Sequence, residues 1–243
     1  MKKIVAISAF LMSISLIASA QESIRFGFQL SPAFSWMASN SSRINTSGTN
    51  LGIKLGMVGE YYFAENYAFT SGIGFHFNSG GTLLYDFPGS YWKKTDLPDP
   101  LKSLSADTKL KYDIQYLEIP VGLKMRTREF GYIRYFMEPN LVFGFRTQAR
   151  GTIKDPGKTG EDEEKYNIRK EVNLLNLSWG INAGIEYTVS ENTSLIGGIG
   201  FQVGFTDATD DSGTEFYPLP TDDRREDSKG TVGAIVLRLG VMF

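Results

Sequence analysis

Residues 231–243 read TVGAIVLRLGVMF, and this stretch decides the fold. Taken with a period of two, Ile235, Leu237, Leu239, Val241 and Phe243 fall on one side. Ala234, Val236, Arg238, Gly240 and Met242 fall on the other. Such alternation marks a strand with two unlike faces. The sequence stops on an aromatic residue at the end of the apolar row. Bare strand edges are costly, so this strand needs a neighbour on each side. The expectation is that it closes a barrel.

Working outward, seven more segments alternate in the same way, at about residues 24–37, 51–63, 67–77, 112–126, 132–151, 172–189 and 194–205. The segment at 172–189 shows it most cleanly: Leu175, Leu177, Trp179, Ile181, Ala183, Ile185, Tyr187 and Val189 oppose Asn176, Ser178, Gly180, Asn182, Gly184, Glu186 and Thr188. No amphipathic helix interrupts the series. Pro120 interrupts the fourth segment, which predicts a β-bulge there. The connections at 38–50, 78–111, 152–170 and 206–229 are long, and those at 64–66, 127–131 and 190–193 are short. Eight strands with alternating long and short connections predict an all-β, eight-stranded antiparallel transmembrane β-barrel. Short periplasmic turns, long external loops and two periplasmic termini complete the expectation.

Size settles which face is outside. An eight-stranded barrel has an interior only wide enough for side chains or one small ligand. A full row of Phe, Trp, Tyr, Leu and Ile would overfill it, whereas the opposite row is rich in glycine, including Gly56, Gly74, Gly184 and Gly198. The apolar row therefore faces lipid. Aromatics at both ends of it, such as Tyr61, Phe63, Tyr67 and Phe243 against Trp36, Phe77 and Phe145, match two interfacial girdles.

The rest of the sequence agrees with export. Lys2 and Lys3 precede an apolar run at 4–17, and Ala18-Ser19-Ala20 resembles a cleavage site, so residues 1–20 read as a signal peptide and 21–243 as the barrel. Removing the leader takes the formal charge from −2 to −4, too mild for a nucleic-acid partner. The absence of cysteine excludes disulfides and thiolate-held metals.

Three sets of residues could carry chemistry. The inner row holds Glu60, Glu118, Glu138 and Glu186 with Arg25, Lys54, Lys124, Arg126, Arg134, Arg146 and Arg238. Charges in so narrow a lumen must pair, and the expected arrangement is a structural network that fills it; a charged pore constriction is the alternative. His76, with Ser79 and Asp86 close behind, could form a Ser–His–acid set, but one histidine among many serines makes a chance match. The acidic run at 207–215, DATDDSGTE, lacks the spacing of an EF-hand loop and reads as solvated. No catalytic residue, cofactor or metal is expected, and the protein is read as a non-enzyme.

The opening strand FGFQLSPAFSW, the central QYLEIPVGLKMR and the final LRLGVMF together resemble the PorT-like family of Bacteroidetes outer-membrane β-barrels. The likeness spans residues 24–243, and Tyr116-Leu117-Glu118-Ile119-Pro120 followed by Leu123-Lys124 is its most specific part. It implies insertion into outer-membrane lipid by the barrel-assembly machinery, with Phe243 as part of the assembly signal. A link to type IX protein secretion is a further implication. The expected role is structural or interactive, with a protein partner met through the external loops; a secretion component and a narrow porin-like channel are the alternatives.

Overall fold

The computed structural model describes residues 24–157, 164–210, 212–217 and 222–243, so the leader expected at 1–20 lies outside the described residues. Eight long strands form the wall: β1 (Ile24–Ser39), β2 (Ile44–Ala64), β3 (Tyr67–Tyr85), β4 (Thr108–Arg126), β5 (Ile133–Lys154), β6 (Leu175–Ser190), β7 (Thr193–Gly204) and β8 (Gly230–Met242). Each pairs antiparallel with its sequence neighbours, and β8 pairs with β1 from Gly27↔Met242 to Ser39↔Gly230. The ring is closed. Phe243 extends the seam, donating its N–H to Phe26 O at 2.7 Å while its own carbonyl accepts from Phe26 N at 3.2 Å.

The apolar row faces outward, as the size argument requires. Phe26, Leu51 and Ile199 are about 60% exposed, while Lys124, Glu60 and Glu186 on the opposite row are buried. Glycine lets the wall close this tightly. Gly56 sits opposite Gly74 and Gly184 opposite Gly198. A Cβ on Gly184 would stand 2.2 Å from the Gly197 carbonyl oxygen. The outward run of β2 from Leu51 to Tyr61 spans about 26 Å along the barrel axis at 3.4 Å per residue and a 40° tilt, which matches an outer-membrane apolar band.

Several boundaries differ from the sequence reading. The connection expected at 38–50 shrinks to four residues, because β2 begins at Ile44. The loop expected at 78–111 is trimmed at both ends, since β3 runs on to Tyr85 and β4 starts at Thr108. Pro120 makes no bulge and stays in register with Val142; the register shifts fall at His76/Ser79 and Gln115/Tyr116 instead. On the β3 side the pairing passes from Ser71↔Val121 to Gly74↔Glu118, so Pro120 falls in a gap of the ladder and its missing N–H interrupts nothing there.

The extra strand length has a reversed polarity. Past the apolar band, Asn45, Thr49, Lys109 and Arg150 point outward, and Ile44, Leu83, Leu110, Tyr112, Ile114, Ala149 and Ile153 point into the barrel and are buried. Lipid rewards apolar side chains outside; water rewards them inside. The change of sign marks where the wall leaves the membrane.

Candidate functional site

Among the described residues, side chains fill the lumen towards both ends. At the end that carries the short turns, Lys124 Nζ lies 2.6 Å from Glu60 Oε1 and 3.1 Å from Glu186 Oε2. Arg25 pairs with Glu186 and donates to Ser194 Oγ at 2.9 Å. Tyr62 donates its hydroxyl to Glu60 at 2.6 Å, and the Arg126 guanidinium lies 3.9 Å over the Tyr62 ring. Phe136, Ile196 and Met242 form an apolar collar above this cluster. The Phe136 ring has Lys124 Nζ 4.9 Å from its centre and the Arg238 guanidinium at 5.7 Å.

A second pair follows: Arg238 reaches Glu138 at 2.8 Å, and Asn182 donates to the same carboxylate at 3.1 Å. The third group has Lys54 Nζ 2.6 Å from both Glu118 Oε2 and Gln202 Oε1, and Gln202 donates to Ser178 Oγ at 2.6 Å. His76 Nδ1 stands 3.2 Å from Glu118 Oε1. A carboxylate paired to Lys54 can only accept, which assigns the proton to Nδ1. Between the second and third groups lies a cavity of about 60 Å³, bounded by Lys54, Thr70, Glu118, Glu138, Asn140 and Arg238. A space of that size, with these polar side chains on part of its wall, has room for a few waters.

Nine of the eleven charged residues singled out in the sequence thus meet in the lumen. Two do not. Arg134 sits near the rim and pairs with Glu129 of the turn, and Arg146 donates to the Val172 carbonyl of a long loop. Both lie on the inward row but at its ends, where the strand hands over to a connection. The Ser79–His76–Asp86 set does not assemble. His76 is held by Glu118, the Ser79 hydroxyl has no protein partner among the described residues, and Asp86 takes two hydrogen bonds from Asn45.

The long-loop end is filled by a part that the pattern of alternation does not signal. The loop at 86–107 turns inward and buries Tyr91, Trp92, Leu97, Leu101 and Leu104 against Leu83, Tyr85, Leu110, Tyr112 and Ile168. Trp92 donates its indole N–H to Tyr112 OH at 3.1 Å, and their rings meet edge to face at 5.4 Å. Burial raises the Tyr91 hydroxyl above the ordinary tyrosine range, with Glu215 and Glu226 adding to the effect. The one sequence cue is the density of large apolar residues, YW at 91–92 and Leu97, Leu101 and Leu104, inside a proline-punctuated loop.

Glu171 ties this plug to its neighbours. It is 2% exposed and accepts from the Lys94 backbone N–H, from Thr95 Oγ1 at 3.2 Å and from Ser212 Oγ at 2.9 Å. Three long loops therefore converge on one carboxylate. A small three-stranded sheet of Gly89–Ser90, Thr214–Glu215 and Arg224–Arg225 joins two of them again. The acidic run at 207–215 is accordingly not simply solvated, since Glu215 is buried against Arg43 at 2.6 Å. No group of three or more metal-ligating side chains occurs among the described residues.

A closed antiparallel ring with an apolar exterior and a paired, charged interior defines an integral outer-membrane β-barrel. The sequence-family model for the outer membrane protein beta-barrel domain matches residues 19–210, and the chain belongs to that family. No curated protein sequence matches significantly. Among solved structures, the chain is similar to Neisserial surface protein A, at 11% identity and a TM-score of 0.45, covering 90% of this chain and 95% of that one. A major outer membrane protein from Thermus thermophilus gives 13% identity and a TM-score of 0.45, covering 91% and 99%. OprG from Pseudomonas aeruginosa gives 11% identity and a TM-score of 0.42, covering 91% and 96%.

Proposed function

We propose that this protein is a non-conducting, non-enzymatic barrel whose long-loop end stands outside the cell and meets a protein partner, with both termini in the periplasm. The observation that carries this reading is the double closure of the lumen. An apolar plug built on Trp92 occupies the mouth, and three groups of paired charges lie beneath it. A channel needs a continuous wet path, and the lumen cavity between Lys54 and Arg238 is too small to provide it. The loops are organised rather than loose, through Glu171 and the small sheet, which gives a partner a defined surface to recognise.

Purified full-length protein in planar bilayers tests the reading directly. It should give no discrete conductance steps, and regular steps altered by Lys54→Gln would overturn it. Affinity capture from detergent-solubilised outer membranes, repeated with the tip of the 86–107 loop replaced, should recover a partner with the native loop only.

A further inference from the structure

The outer wall just beyond the apolar band is strongly basic. Lys109, Lys111, Arg150 and Lys154 project from β4 and β5, and Lys165 stands beside them. Four acids lie nearby among the described residues, and one of them, Asp155, follows Lys154, is buried and accepts from the Ser105 N–H at 3.1 Å. Asp113 is the cross-strand partner of Arg150 and already receives Lys111 at 3.4 Å and Lys165 at 3.6 Å. Glu164 accepts from Tyr166, and Asp107 sits at the start of β4. In a chain of net charge −2, this concentration of cations on one patch of wall is a local feature.

Its arrangement carries a second signal. Lys109 and Lys154 are direct cross-strand partners, and like charges placed opposite one another destabilise a sheet. A bridging anion would reverse the sign of that contact. The patch also has a definite height. Counting from the last lipid-facing residues, Leu117 and Phe145, Arg150 stands about 12 Å further out, and Lys109 and Lys154 about 21 Å, at 3.4 Å per residue and a 40° tilt. The polar zone of a simple bilayer is only about 5–8 Å deep on each side. Cations at both heights fit an anionic headgroup that extends well past that zone.

We infer that the wall formed by Lys109, Lys111, Arg150 and Lys154 binds the phosphate groups of a glycolipid in the surrounding leaflet. Arg150 and Lys111 meet the phosphates nearer the membrane, and Lys109 with Lys154 clasps a phosphate carried further out on the sugar. The assignment of that leaflet as the outer one rests on the orientation proposed above. The binding itself does not, and a conducting barrel would leave it intact.

The test uses full-length protein in detergent micelles with three probes: a lipopolysaccharide with a phosphorylated core, its enzymatically dephosphorylated form, and phosphatidylglycerol. The variant is K109Q/K111Q/R150Q/K154Q, with the heat-dependent gel shift as the check of folding. Wild type should bind the phosphorylated glycolipid at least about tenfold more tightly than the variant, and the gap should shrink as salt rises. The dephosphorylated form should bind wild type no better than it binds the variant. Should the fourfold change impair folding, K109Q/K154Q removes only the like-charge pair and should give an intermediate loss. Equal affinity of wild type and both variants would overturn the site. Equal binding of phosphatidylglycerol and the phosphorylated glycolipid would overturn the extended-headgroup assignment.

Discussion

Replacing Lys124 with methionine tests the lumen network where it is most deeply buried. The ammonium is 1% exposed and bridges two carboxylates whose side chains are fully buried. At an effective dielectric of 20, contacts of 2.6 and 3.1 Å correspond to gross attractions of about 6 and 5 kcal/mol. Desolvation of the ammonium, several kcal/mol by itself, offsets much of that sum. What remains after the change is the larger concern. Glu186 keeps Arg25, but Glu60 is left with the Tyr62 hydroxyl and an Arg25 nitrogen 4.0 Å away. Removing one partner of a buried pair typically costs about 3–5 kcal/mol, and that is the expected loss. Urea unfolding from lipid vesicles, followed by tryptophan fluorescence, reads it. Lys124→Met with Glu60→Gln should lose clearly less than the sum of the single changes, because the second change removes the stranded charge. A loss under about 1 kcal/mol for Lys124→Met, or strict additivity in the double variant, would refute the claim that this pair holds the lumen together.

Three further outcomes follow from the geometry. Trp92→Ala should lower stability by about 3–5 kcal/mol, by loss of a buried ring, yet leave planar bilayers silent because the charge layers beneath persist; conductance in that variant would show that the plug is the sole seal. Glu171→Gln should weaken the joint between loops by about 1–3 kcal/mol, read as faster amide exchange at residues 92–97 and 207–213 with unchanged exchange in the barrel; uniform protection would remove its latch role. Phe243→Ser keeps the backbone bonds to Phe26 and loses only an exposed ring, so the folded barrel should resist urea almost as wild type does while its level in the outer membrane falls. Equal membrane levels of that variant and wild type would sink the assembly role of Phe243.

Much of this architecture could be read from residue order because a strand's two faces meet different solvents. Period-two alternation located all eight strands, and the width of an eight-stranded lumen decided that the bulky row lies outside. The inner charges were visible for the same reason, since Glu60, Glu118, Glu138 and Glu186 all fall on the row opposite the lipid-facing one. Their partners were not. Lys124 meets Glu60 from β2 and Glu186 from β6, a choice made by strand tilt and side-chain reach across the lumen rather than by position along any strand. Arg134 and Arg146 share the inward phase of that row but lie too close to its ends to join it.

The long-loop end shows where pattern reading stops. At residues 44–50 and 78–82 the outward row turns to polar residues and glycine, so the contrast that reveals a membrane strand disappears and the stretch reads as loop. Only the folded wall shows that the alternation continues there with its sign reversed, apolar inside and polar outside, because water has replaced lipid around it. The plug depends on that reversal. Trp92, Leu97 and Leu101 had no visible destination until the ring of Leu83, Leu110 and Tyr112 closed around them. Sequence alone determined that this chain is a barrel in a membrane and which side faces lipid, since both follow from local chemistry repeated every second residue. Tertiary structure decided how the lumen is filled, because the pairing of its charges and the seating of the plug depend on contacts between residues far apart in the chain that no local pattern records.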